Sequence, residues 1–195
     1  MTQKFEINSG AIVCSDPCYT TDVWCMGTVN NVKNGTWLAH SNLDTVGDWG
    51  ERNVDLTVHH ADHKIDETAW EQIPGTFGVD SGQFGFFDRD NYRKAESVKD
   101  MPKYNFGGQF LTDESDPDGE IWYTACCKIT LDNPESWGVL PNGVVSSSGF
   151  GDGSYTVYGI KDTRSANLEY IAFRVVFIEQ EEMDELDEWE ENDEN

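Results

Sequence analysis

The feature that most limits what this chain can fold into is its punctuation. Short runs of β-branched and aromatic residues, most with apolar side chains at every second position, are each closed by glycine, proline, asparagine or aspartate. In KFEINSGAIVCSD, Phe5 and Ile7 share one face, Ser9-Gly10 interrupts the alternation, and Ala11 to Cys14 form a second apolar run. The pattern predicts a hairpin. Asp16-Pro17 ends it, because proline donates no ladder hydrogen bond and restricts the residue before it. Asn34-Gly35, a strong two-residue turn signal, predicts a second hairpin with Thr36-Trp37-Leu38 as its return strand. Val54, Leu56 and Val58 alternate in NVDLTVHHAD, and further strands are expected at EIWYTACCKITL, SYTVYGIKD and LEYIAFRVVFI. Between them, Arg89 to Asp118 is broken by Pro102, Gly107-Gly108 and Pro117, and reads as a long central loop or short helix of the kind that often carries function. At least eight short strands against one weak helix predict a mostly β, antiparallel single domain, sandwich-like or barrel-like, over residues 1–178. The remainder, 179–195, is an acidic C-terminal tail.

At 195 residues the chain can bury a proper core in one domain. Its formal charge of -24, from 37 acidic and 13 basic side chains, disfavours direct contact with a nucleic-acid backbone or an anionic membrane. The partner it predicts is a basic protein. Residues Glu179 to Asn195 hold eleven carboxylates and no Lys or Arg, which leaves -13 on the rest. Met183, Leu186 and Trp189 have helical spacing, but so much like charge predicts a segment that is disordered or folds on a partner. Glu181, Glu182, Asp184, Glu185, Asp187, Glu188 and Trp189 are therefore the candidate partner-binding residues. No apolar run is long enough to span a bilayer and the N-terminus lacks a signal-peptide pattern, so the expected location is cytoplasmic. Five cysteines without an export signal predict reduced thiols.

Chemistry-bearing patterns are few. His59, His60, Asp62 and His63 cluster in HHADHK, but on a strand His59 and His60 point to opposite faces, which leaves two metal ligands at most. Cys14 and Cys18 have the spacing of half a zinc site with no matching second pair, and adjacent Cys126-Cys127 on a strand would face opposite ways. Ser81 in GVDSGQFG lacks both the first glycine and the following helix of a nucleophile elbow. Asp80, Asp88 and Asp152 stand beside glycines or turns, where a carboxylate commonly accepts backbone amides and locks the loop. The sharper alternative gathers Asp16, Asp80, Asp88 and Asp152 at one end of a sandwich to bind a small ligand or divalent cation, with Phe86, Phe87, Tyr155 and Tyr158 as walls. A hydrolase could be built on such a set. No cofactor is otherwise expected. In VVSSSGFGDGSYTVYGIKD the glycines precede a strand, unlike a phosphate-cradling loop, which opens a helix. At least one of Gly151 and Gly153 is expected at positive φ, which makes Gly153→Val severely destabilising.

Three segments, SDPCY (15–19), FGVDSGQFGFFD (77–88) and SSGFGDGSYTVY (147–158), together resemble the shared motifs of an uncharacterised domain-of-unknown-function family of bacteria and their phages. The resemblance spans about Gly10 to Ile178. It implies a β-rich domain whose motif loops lie together, and it brings no catalytic residue. The cysteine-rich start is similar to the phage-borne branch. With the charge, this suggests a non-catalytic inhibitor in the host cytoplasm, a nucleic-acid mimic that antagonises host defence by occupying a basic site on a host protein.

Overall fold

In the computed structural model, which describes residues 2–101 and 116–183, the alternation of the first strand sets the inside of the molecule. β1 (Gln3–Ile7) buries Phe5 and Ile7 and exposes Lys4. β2 (Ala11–Ser15) is buried along its whole length, because both of its faces are covered. β3 (Gly27–Asn30), β4 (Gly35–Thr45), β5 (Glu51–His60), β6 (Glu71–Gln72), β7 (Phe77–Val79) and β8 (Gln83–Asp88) follow. After α1 (Glu120–Leu131) come β9 (Trp137–Leu140), β10 (Gly143–Ser147), β11 (Gly153–Lys161) and β12 (Tyr170–Val176). The first sheet runs β1-β4-β5-β12-β11-β6, with β7 also paired to β11; the second runs β3-β2-β8-β10-β9. All the strand pairs are antiparallel, so the mostly β, sandwich-like expectation holds.

Between the sheets, Trp37, Phe84, Phe86, Phe173 and Trp137 form the main core with Ile7, Ile12, Leu56 and Val58. The outer face of the second sheet carries a second core, where Val13, Phe87, Val145 and Leu140 meet Trp122, Ala125, Cys126 and Ile129 of α1. Each fully buried aromatic or branched side chain contributes about 1.5 to 3 kcal/mol of apolar transfer. Among the described residues no helix is long and apolar enough to cross a membrane.

Three local expectations are corrected. Residues 3–15 are not a hairpin: β1 pairs with β4, whereas β2 pairs with β3 and β8 in the other sheet. Phe5 and Ile12 both face inward, but from opposite layers, a distinction that period-two alternation does not carry. Asn34-Gly35 likewise passes the chain from one layer to the other, its Asn34 Oδ1 accepting the Gly10 amide at 2.7 Å. β4 instead forms a hairpin with β5, the strand that follows it.

The third correction is α1, expected as a strand. Trp122, Ala125, Cys126 and Ile129 fall at i, i+3, i+4 and i+7 and bury one stripe. Asp116 caps the helix by accepting the Glu120 and Ile121 amides at 2.9 Å each. Local β propensity in WYTACCKIT is overridden by packing on the second sheet. Within the predicted central loop, Arg89–Asn91 and Ala95–Val98 form 3-10 turns, and Ala95 and Val98 are buried. Residues 102–115 lie outside the described residues.

Candidate functional site at one end of the sandwich

The ends of β2, β7, β10 and β12 and the starts of β5, β8, β9 and β11 lie at the same end of the sandwich, as the register requires: Ser15 faces Gly85, Ser147 faces Gln83, and Gly153 faces Val79. All three motif segments have a loop here. Their junction is Asp16, whose side chain is fully buried. Its Oδ2 accepts the Asp80 and Ser81 amides at 2.9 and 2.7 Å, and its Oδ1 accepts the Ser81 hydroxyl at 2.6 Å and the Cys18 amide at 2.8 Å. Bond by bond, this carboxylate binds the SDPCY loop to the VDSG loop. Tyr92 donates to the Tyr19 carbonyl at 2.7 Å and Arg93 to the Pro17 carbonyl at 2.7 Å, fixing the first loop from the other side.

Ser81 is followed by β8 and not by a helix, and its hydroxyl serves Asp16. Around it stand polar groups of α1. Gln83 donates to Ser81 Oγ at 3.4 Å and to Cys127 Sγ at 3.6 Å, and accepts from Thr130 at 3.1 Å. Burial, the neighbouring Asp16 charge with its hydrogen bond, and Asp80 together push the Cys18 thiol up to about 12, against the Ser81 hydrogen bond. Burial and a hydrogen bond to Cys127 push the Tyr123 phenol up to about 12 as well. Both groups are protonated at neutral pH, so Cys18 is no thiolate nucleophile. Tyr123 and Cys127 reach this group because residues 120–131 form a helix and not the expected strand; all five cysteines are free.

The glycine-rich loop closes the group. The Ser148 amide donates to the Gly82 carbonyl at 3.0 Å, and Tyr155 donates to the Ser148 and Gly151 carbonyls at 2.9 and 2.7 Å. Gly151 has φ of +107° and Gly149 has φ of +53°. A Cβ on Gly149 would lie 2.8 Å from Ile178 Cγ1 and 3.0 Å from Phe177 Cβ, so this glycine lets the end of β12 pack against the loop. Gly153 is not at positive φ, and a Cβ there meets nothing nearer than 3.6 Å, which corrects the expectation attached to it. The loop is rich in glycine for packing and turning.

Of the four candidate aspartates, Asp80 and Asp152 are exposed at this end, and Asp16 is engaged as described. Asp88 lies at the opposite end, accepting the Asn8 and Ser9 amides at 2.7 and 2.8 Å, Asn91 Nδ2 at 2.8 Å and the Asp90 amide at 3.2 Å. Burial would raise its pKa, but these hydrogen bonds outweigh it and hold the carboxyl below the ordinary range. Nor do the proposed walls converge: Phe86 belongs to the main core and Phe87 to the core under α1. His60 accepts the Asp62 amide at Nδ1, so Nε2–H donates to the Asn34 carbonyl at 3.1 Å. Among the described residues no group of three or more His, Cys, Asp or Glu side chains is arranged to hold a metal ion.

The tail begins at the same end as the motif loops. Glu182 Oε2 accepts the Glu179 amide at 2.9 Å, residues 180–183 form one helical turn, and Met183 packs against the main core. Burial raises the Tyr155 phenol, and the Asp152 and Glu182 charges raise it further against the Ser148 hydrogen bond. Glu181 and Glu182 are exposed; Asp184, Glu185, Asp187, Glu188 and Trp189 lie outside the described residues. Beside the loop lies a cleft of about 410 Å³, into which Trp49, Phe150, Arg52 and Asn53 project.

A separate polar row, missed in the sequence, crosses the outer face of the first sheet. His40 faces Thr57, Thr57 faces Arg174, and Arg174 faces Tyr158. Asp55, beside the row, accepts from Asn42 at 2.8 Å and from Arg174 at 3.4 Å, and Arg174 lies 5.8 Å from the Trp70 ring centroid. Burial, with help from His59 and Arg174, holds the His40 pKa down against Asp55 and Glu67. The signal was present as the lone arginine inside AFRVVF.

Residues 5–169 match the model of a family described as "Protein of unknown function (DUF4241)". No curated protein and no solved structure matches the chain.

Proposed function

The chain belongs to that family, whose description carries no chemistry, and from its residues we propose that it is a non-catalytic acidic protein that occupies a basic, nucleic-acid-binding site on another protein. Its charge carries this reading: -24 overall, with eleven carboxylates in the last seventeen residues, which follow directly on the Phe177-Ile178 segment packed against the glycine-rich loop. Five of the thirteen cations, Lys33, Arg89, Arg93, Arg164 and Arg174, pair with carboxylates of the chain itself. Carboxylates fixed on a rigid β frame present an anionic surface comparable to spaced phosphates, which steers a basic partner and weakens with salt. A phage-borne inhibitor of a host defence protein in the host cytoplasm fits this chemistry. Bound divalent cations are not required by it. The test is capture of basic proteins from a bacterial lysate at low and high salt, followed by competition between this protein and duplex DNA for the captured partner. Salt-sensitive capture with loss of DNA binding is expected; capture that ignores salt, or a partner that still holds DNA, contradicts the reading.

A further inference from the structure

The cleft beside the glycine-rich loop has the chemistry of a receptor for one side chain. It lies between the β4–β5 turn, the 133–136 turn and the 147–151 loop. Two large apolar side chains remain in solvent there, Trp49 at 54% and Phe150 at 39% exposure. Their ring centroids are 5.3 Å apart and the planes cross at 63°. In an edge-to-face pair the ring that supplies its edge keeps both faces uncovered by its neighbour. The floor is fixed: Asn53, buried, accepts from Ser41 at 2.7 Å and donates to Ser147 Oγ at 2.8 Å and to the Glu135 carbonyl at 3.1 Å. Glu51 lines the cleft, and Asp44, Asp48, Glu135 and Asp152, all exposed, are each next in sequence to a lining residue. Arg52 is the cation in the lining, and its Nη1 donates to the Glu51 carbonyl at 2.9 Å.

We propose that this cleft receives an arginine side chain of the basic partner, its guanidinium against the Trp49–Phe150 pair and its charge facing the carboxylate rim. The inference rests on the acidic-interaction reading above. An exposed aromatic face ringed by carboxylates attracts a cation through the ring quadrupole and through Coulomb forces together. A planar guanidinium stacks on such a face better than a compact ammonium does. An anionic ligand would meet Glu51 beside Arg52 in the lining, with four more exposed carboxylates on the neighbouring residues. The aromatic anchors and the rim then divide the labour found at hot spots, a few rings giving affinity and the surrounding charge giving orientation.

The test is calorimetric titration of the full chain with an oligoarginine peptide, repeated with an oligolysine peptide of equal length. Trp49→Ala and Phe150→Ala should each weaken oligoarginine binding about tenfold, the loss of one good cation–π contact. Oligolysine should bind more weakly and respond less to either change. Trp24→Ala, at a ring 82% exposed but outside the cleft, should leave the affinity unchanged. If oligoarginine binds the two cleft variants as tightly as the unaltered protein, the cleft assignment is overturned while the acidic-interaction reading stands. Failure of the unaltered protein to bind either peptide at low salt overturns both. Should one variant fold poorly, the other decides, since the two rings come from different turns.

Discussion

The two ends of the sandwich hold their turns by the same device and differ in what they show to solvent. At one end Asp16 accepts three amides and a hydroxyl; at the other Asp88 accepts three amides and a side-chain amide. Both carboxylates are fully buried. Only the Asp16 end adds the Trp49–Phe150 cleft, exposed Asp80 and Asp152, and the root of the acidic tail. A buried aspartate beside a glycine turn is thus a clamp in this chain, and the exposed carboxylates at this end belong to residues around the clamp.

The comparison can be broken in several ways, the largest effect coming from backbone. Gly149→Val puts a β-branched residue at φ of +53° and 2.8 Å from Ile178, and should cost more than about 4 kcal/mol by chemical denaturation. Gly153→Val, two strand-adjacent glycines later, should stay within about 1 kcal/mol. Asp16→Ala strands three amides and should cost about 3 kcal/mol; a silent result would show that the motif junction is not a clamp.

Asp88 sharpens the comparison through pH. Its folded pKa lies below the ordinary carboxylate value, so its stabilisation is complete above that value and is lost as pH falls through the folded one. For His40, whose pKa is also lowered, the unfolded chain takes up a proton first, and stability begins to fall below the ordinary histidine value of 6.5. Denaturation followed from neutral to acid pH should therefore show a first decline that His40→Gln reduces, His63 contributing the rest, and a second, at lower pH, that Asp88→Asn reduces. The smallest expected change is in Asp152→Asn, whose stability should stay within about 0.5 kcal/mol.

Most of the strands are legible in the sequence. The alternation in NVDLTVHHAD and the β-branched runs SYTVYGIKD and LEYIAFRVVFI mark β5, β11 and β12. What could not be read is which layer a strand joins: Ser9-Gly10 and Asn34-Gly35 are turn signals, and a turn between layers has the same local chemistry as one within a sheet. α1 failed for a different reason. Its stripe of Trp122, Ala125, Cys126 and Ile129 was there, but β-branched composition outweighed it, and with the helix went the Tyr123, Cys127 and Gln83 group beside Ser81. The meeting of the motif loops was anticipated, yet its agent, Asp16, appeared only as one carboxylate among four, because burial is not written in a single sequence. Trp49 and Phe150, a hundred residues apart, could be paired only by the fold.

The central claim is that buried aspartates hold the fold while exposed carboxylates at the Asp16 end make the contact. The measurement that tests it most directly is the salt dependence of partner affinity for the protein carrying Asp44→Asn, Glu51→Gln and Asp152→Asn together, set beside its melting temperature. The account predicts an unchanged melting temperature, weaker binding and a shallower dependence on salt. A melting temperature lower by many degrees with an unchanged salt dependence would contradict it.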